Sequence, residues 1–448
     1  MKSQGLSYAL LATISALITV WPLPETMALR NLLLVVGAAL AIPLTWKNRM
    51  HLFQRDAWPI WLSAAFFLWL AFHYLVLTSS PKEQLSELQG VWARAAISSI
   101  IGLAAGLTIL LREPRAERGT RQTHWFITVG LSATTLIYAI GYLFFCIKRG
   151  EWITPPFFQE IYRGKPPIVV FVGLALVIYF IKAYETLLKR SLLELSIWST
   201  LILLSLFDFV FTGTKNGVIV FALTAGAFIL IAARGRLEAH QKRLVRSAAV
   251  GLILIALPVI VYHVRENEAW RNLWPDIKAA WDIEGNPQWK QMGSYTLPQN
   301  ENMRQVNQST YERIAWAHAG LTLIQEHPLG YGLLYHSFGA LAAKKWADFH
   351  KPNGVTRGAT HSAWIDMTLG VGVPGTILFA SGLLLAFART RRLDGFWRTY
   401  VLSTIPLLFF IFLITEVASD VYVEFLFMMT FMFLGMTLRP HDGKRKLN

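Results

Sequence analysis

The residues best suited to chemistry are one histidine and four cations. His361 stands in Thr360-His361-Ser362, where a polar segment gives way to an apolar run carrying Gly370-Val-Gly372-Val-Pro374-Gly375. Arg313 follows Ser309-Thr-Tyr-Glu312, whose capping-box spacing predicts a helix start; Ile314, Ala317, Leu321 and Ile324 continue it until His327-Pro328 stops it. That places Arg313 in the first turn, where free N–H groups and the positive end of the dipole favour an anion. Its planar fork suits phosphate oxygens. Lys215 sits in the tight turn Thr212-Gly-Thr-Lys-Asn-Gly217, Arg265 closes an apolar run, and Arg94 lies three residues inside another. An uncharged imidazole can take a proton from a hydroxyl while nearby cations stabilise a departing phosphate.

Each residue also has a plainer reading. Lys215 and Arg265 could reach to lipid headgroups, Arg313 could be solvated on a surface helix, and His361 could be a satisfied interfacial histidine. Arg94 costs free energy in an apolar run unless it faces a polar cavity or an acid. Asp208, seven residues before Lys215, is an acid that could pair with Arg94 or help to hold Lys215. Trp270, Trp274, Trp281, Trp289, Trp316 and Trp346 could stack on sugar, but interfacial anchoring is the expected role of such tryptophans. Gly370, Gly372 and Gly375 could allow close helix packing or a bend at Pro374.

The elements that must position these residues are membrane helices. With 54% hydrophobic and only 15% charged residues and a mean hydropathy of +0.42, the chain cannot cover a soluble globule of its length. Apolar runs long enough to cross a bilayer fall near 6–22, 27–46, 57–77, 91–111, 124–147, 167–186, 192–212, 216–233 and 247–264, then near 362–388, 399–416 and 419–437. The boundaries at 212–216 and 416–419 are the least distinct. The sequence therefore predicts an all-α polytopic membrane protein of about twelve spans. Three regions follow: spans one to nine over 1–264, a large loop with amphipathic helices over 265–360, and spans ten to twelve with a basic tail over 361–448. The first span has no small-x-small cleavage site before Trp21-Pro-Leu-Pro-Glu25, so it reads as a retained helix.

Charge gives orientation. One set of short loops holds 23 Lys and Arg residues and the other holds seven, among them Arg30, Lys82, Lys148, Arg149, Arg163, Lys165 and Lys215. The positive-inside rule then puts both termini in the cytoplasm and the large loop outside. The +15 net charge is largely topogenic, and its scatter over separate loops argues against a nucleic-acid partner. One cysteine, Cys146, excludes an internal disulfide framework and a Cys-based zinc site. Glu25, Glu83, Glu87, Glu151 and Glu160 in the short outward loops offer no close acidic pair for a divalent ion, so no metal or other cofactor is expected.

Two outward elements carry a specific resemblance: the turn Thr214-Lys215-Asn-Gly217, and the series Arg313-(x)2-Trp316, His327-Pro-Leu-Gly-Tyr-Gly332 and His361-Ser362-(x)9-Gly372-(x)2-Gly375. With these elements and twelve spans broken by one large loop after the ninth, nearly the whole chain resembles the O-antigen ligase and polymerase superfamily, most closely its lipopolysaccharide ligases. The family usually carries Arg where this chain has Lys215, which keeps the charge and loses the bidentate fork.

The resemblance implies a glycosyltransferase of GT-C-like architecture in the bacterial inner membrane, with its active site facing the periplasm. It would move a glycan from undecaprenyl pyrophosphate to a hydroxyl of the lipid A-core oligosaccharide, without metal and with inversion. His361 would be the base, and Lys215, Arg265, Arg313 and Arg94 would bind the diphosphate, with Asp208 in support. An O-antigen polymerase or a protein O-oligosaccharyltransferase would share these features. A transporter is the non-enzyme alternative, since Arg94 and Asp208 lie within spans. Against it stand one large one-sided loop and the lack of paired broken spans in corresponding halves.

Overall fold

The computed structural model describes residues 2–112, 120–150, 166–234, 238–266, 270, 272–291, 296–335, 337–349, 359–415 and 420–439. Glu151, Glu160, Arg163, Lys165 and most of the basic tail lie outside them. The chain is an all-α polytopic membrane protein, and no strand occurs among the described residues beyond an isolated bridge, Gln299 to Gln305.

Among the described residues ten α-helices precede the large loop. They are α1 (Lys2–Val20), α2 (Met27–Lys47), α3 (Trp58–Phe72), the short α4 (Pro81–Glu87), α5 (Ala93–Arg112), α6 (Thr120–Arg149), α7 (Gly173–Lys189), α8 (Leu192–Phe211), α9 (Lys215–Arg234) and α10 (Ala239–Glu266). The loop carries α11 (Leu273–Trp281), α12 (Gln308–Glu326) and α13 (Ser337–Lys345). Then come α14 (Ala363–Ala388), α15 (Gly395–Ile414) and α16 (Asp420–Met436). Among the described residues nine helices are long and apolar enough to cross a membrane, and three shorter apolar helices, within α1, α9 and α16, join them. These are the twelve runs read from hydropathy.

Helix α16 is buried from Tyr422 to Leu438, as its all-round apolar sequence requires. It lies against α5 so closely that a Cβ on Gly102 would stand 2.0 Å from the Met428 carbonyl oxygen. The loop has its own smaller core, in which Trp289, Tyr311, Trp316, Leu323 and Phe338 are buried together. Trp289 and Trp316 are thus core residues, which corrects the expectation that the loop tryptophans anchor at the interface. The segment buries them because it folds around α12, whereas Trp274 and Trp281 remain exposed.

The expected capping box is also corrected. Helix α12 begins two residues earlier than Ser309-Glu312 implied, with Asn307 as its N-cap, accepting from the Thr310 N–H at 3.2 Å. Glu312 instead accepts from Gln308 Nε2 at 2.8 Å. Arg313 consequently lies in the second turn, beyond the free N–H groups, and the residue that does open a helix is Lys215, the first of α9.

Candidate active site

Three chain segments converge at one end of the bundle. Arg313 Nη1 donates to the Ile414 carbonyl at 3.1 Å, and Asn216 Nδ2 donates to the same oxygen at 3.0 Å. Next to Asn216, Lys215 Nζ donates to Thr310 Oγ1 at 3.4 Å, which ties α9 to the start of α12. Ile414 ends α15, and Thr415 beyond it accepts from the Ala363 N–H at 2.8 Å, so the last turn of α15 also holds the residues after His361. Lys215, Arg313 and His361 are all half-buried.

His361 is positioned from both sides of the chain. Its imidazole stacks on Trp316, with centroids 5.3 Å apart and planes at 27°. Trp316 lies three residues after Arg313, hence on the same side of α12. The backbone at His361 has φ +63, a left-handed conformation uncommon for a residue with a side chain. One turn into α14, Asp366 Oδ1 accepts from the Thr360 N–H at 2.7 Å and from Thr360 Oγ1 at 2.8 Å, fixing the residue before the histidine.

The glycines do more than permit a bend. Pro374 has no N–H to give Gly370, and α14 breaks at Gly372, where φ is +74. The freed acceptors find partners elsewhere: Leu369 and Gly370 accept from the N–H groups of Tyr331 and Gly332 at 2.7 and 2.8 Å, and Val371 accepts from Trp69 Nε1 at 2.6 Å. The Val373 N–H turns to Pro328 at 2.8 Å. The His327–Gly332 turn is therefore laced into the broken helix that carries His361. A Cβ on Gly330 would stand 2.3 Å from the Gly372 nitrogen, so the approach needs glycine.

Residues 200–380 match the family model described as O-antigen ligase. Over this segment the chain is similar to the O-antigen ligase family. The matched O-antigen ligase segment contains Lys215, Arg313 and His361, and is narrower than the nearly whole-chain likeness expected from the span plan. A search among curated proteins found no match. This similarity supports a function of the O-antigen ligase or polymerase type, acting in general on a lipid-linked glycan and a lipid acceptor.

The remaining expected site residues are Arg94, Asp208 and Arg265. Arg94 does not pair with Asp208: its Nε donates to Glu424 Oε1 at 2.6 Å, while Trp21 Nε1 donates to Oε2 at 3.1 Å. An acid on the last span, 330 residues away, was the partner its apolar surroundings demanded. Asp208 is fully buried, and neither carboxylate oxygen accepts a hydrogen bond from a described residue. It helps to shape the Lys215 turn only through its backbone carbonyl, which accepts from Thr212 Oγ1 at 2.6 Å. Arg265 is exposed near the end of α10, and among the described residues no hydrogen bond ties it to Lys215 or Arg313. The residues missed were Asn216, Thr310, Ile414 and Asp366. Only Asp366 carried a signal, an acid within an apolar run five residues after the histidine.

Proposed function

We propose that this chain is a lipopolysaccharide-type O-antigen ligase of GT-C-like architecture in the bacterial inner membrane. It transfers a glycan from undecaprenyl pyrophosphate to a lipid A-core hydroxyl on the periplasmic face. The observation that carries this reading is the shared Ile414 carbonyl, which holds Arg313 beside the Lys215-Asn216 helix start, together with His361 stacked three residues along from Arg313.

In the proposed reaction a nitrogen of the His361 imidazole takes the proton of the acceptor hydroxyl, whose oxygen forms a bond to the anomeric carbon from the side opposite the diphosphate. The sugar–oxygen bond to the diphosphate breaks, its electron pair stays on the departing oxygen, and the anomeric centre inverts. Lys215, Arg313 and the first N–H groups of α9 meet the charge gained by the diphosphate, and no metal is required. Arg265, exposed beside the loop, is free to join them, whereas Arg94 holds Glu424.

The test is direct: purified protein is mixed with a lipid-diphosphate glycan and rough lipopolysaccharide in detergent containing a chelator. Capped lipopolysaccharide supports the ligase. Longer lipid-linked polymer with no capping would reassign the chain to the polymerase branch, and glycan found only on protein would reassign it to the protein-modifying branch.

A further inference from the structure

A cavity of about 1450 Å³ opens at the end of the bundle away from His361. It lies between the start of α6, the end of α7, the starts of α8 and α15 and the residues after α16. Lys215 follows the far end of α8, whose 20 residues span about 30 Å, so the two sites occupy opposite sides of the bilayer. Three side chains of its rim, Trp125, Val129 and Ile197, are 46%, 57% and 50% exposed on membrane helices. The mouth therefore faces acyl chains as well as water, near the level where Trp125 and Trp198 pair at 5.9 Å.

Once its ion pairs are set aside, the charges lining this cavity among the described residues are balanced. Lys182 pairs with Glu185 at 2.9 Å and Arg392 with Asp56 at 2.7 Å. That leaves Lys189 and Arg439, with Glu194 and Asp394, outside any ion pair among the described residues. A lone phosphate would meet as many carboxylates as cations, and a lone amine the reverse. A headgroup carrying both charges answers both. The wall already accommodates one ammonium, since Lys182 Nζ lies 4.9 Å over the Phe396 ring, which packs on His124 at 4.8 Å. A primary ammonium can donate hydrogen bonds to Glu194 and Asp394, which a quaternary one cannot.

We propose that this cavity binds a zwitterionic aminophospholipid of the phosphatidylethanolamine type. Its phosphate lies at Lys189 and Arg439, its ammonium at Glu194 and Asp394, and its acyl chains leave past Trp125 and Ile197.

The test places the full-length protein in nanodiscs of equal parts phosphatidylethanolamine, phosphatidylglycerol and phosphatidylcholine, strips loosely held lipid with detergent, and counts retained lipids by native mass spectrometry. Phosphatidylethanolamine should exceed each of the others by about tenfold, the effect of roughly one well-placed charge contact. Lys189→Gln with Arg439→Gln, and separately Glu194→Gln with Asp394→Asn, should each erase that preference. All four side chains are on the surface, and an unchanged melting temperature confirms that the variants fold. Equal retention of the three lipids, or preference for phosphatidylglycerol, overturns the proposal, as does displacement of the lipid by millimolar soluble phosphoethanolamine. Retention is read without any transfer reaction, so the result is independent of the proposed ligase activity.

Discussion

Arg313 and Asn216 donate to one carbonyl oxygen, that of Ile414, at 3.1 and 3.0 Å. The loop helix and the eighth membrane span, α9, are thereby fastened to the same atom at the end of α15. The cations on either side of that link, Arg313 and Lys215, are held in place before any substrate arrives.

Loss of either cation should therefore act on the transition state. Arg313→Ala and Lys215→Ala should each lower the initial rate of glycan transfer by about 10²–10³, the range for one preorganised stabiliser. Lys215→Arg should keep the rate, because it adds a fork to a charge already there. Near-wild-type turnover of Lys215→Ala would remove that residue from the site.

Arg94 should behave differently. Arg94→Met strands the buried Glu424 carboxylate, at a cost below the ~3–5 kcal/mol of a fully buried pair, because the Arg94 side chain is 26% exposed. Arg94→Met with Glu424→Leu should recover much of the melting temperature and retain transfer. A folded double variant with no transfer would return Arg94 to the diphosphate.

Much of this arrangement was legible in the sequence. All twelve spans could be read because each is one continuous apolar run, and His361 and Lys215 stood out as polar residues at span ends. Contacts between distant segments could not be read. No local pattern tells that Glu424 waits for Arg94, that the Ile414 carbonyl is a shared acceptor, or that Pro328 takes the Val373 N–H. The capping residue was misplaced because Ser309 and Asn307 both suit an N-cap, and tertiary packing of α12 chose between them. Trp289 and Trp316 were misread because composition cannot separate a tryptophan facing lipid from one in the core of a folded loop.

Gly372→Ala should cripple folding. A Cβ there would stand 2.3 Å from the Leu329 carbonyl oxygen, and the backbone at φ +74 and ψ 171, a region nearly confined to glycine, adds strain of ~1–3 kcal/mol. The expected result is a large fall in the melting temperature in detergent. An unchanged melting temperature would mean that the break in α14 is absent in the membrane.

The loop core should fail in alkali. Burial, as the largest cause, pushes the Tyr311 phenol up from 10.0 to about 12, with Asp282 adding to the rise and the hydrogen bond from the Trp289 backbone opposing it. The folded loop thus holds the Tyr311 proton more tightly than the unfolded chain does. Its contribution is complete below pH 10 and is lost as pH rises toward 12. Tryptophan fluorescence of the loop should change over that window, and Tyr311→Phe, which cannot ionise, should remove the dependence.

The central claim is that His361 accepts the proton of the attacking hydroxyl. The pH profile of single-turnover transfer by wild type and His361→Gln, in EDTA and with donor binding measured alongside, tests it most directly. The wild-type rate should fall on acidification, because a protonated imidazole cannot accept the hydroxyl proton. His361→Gln should bind donor normally and transfer nothing at any pH. A glutamine variant that keeps most of the rate and the same acid limb would contradict the account and leave His361 as a positioning group on Trp316.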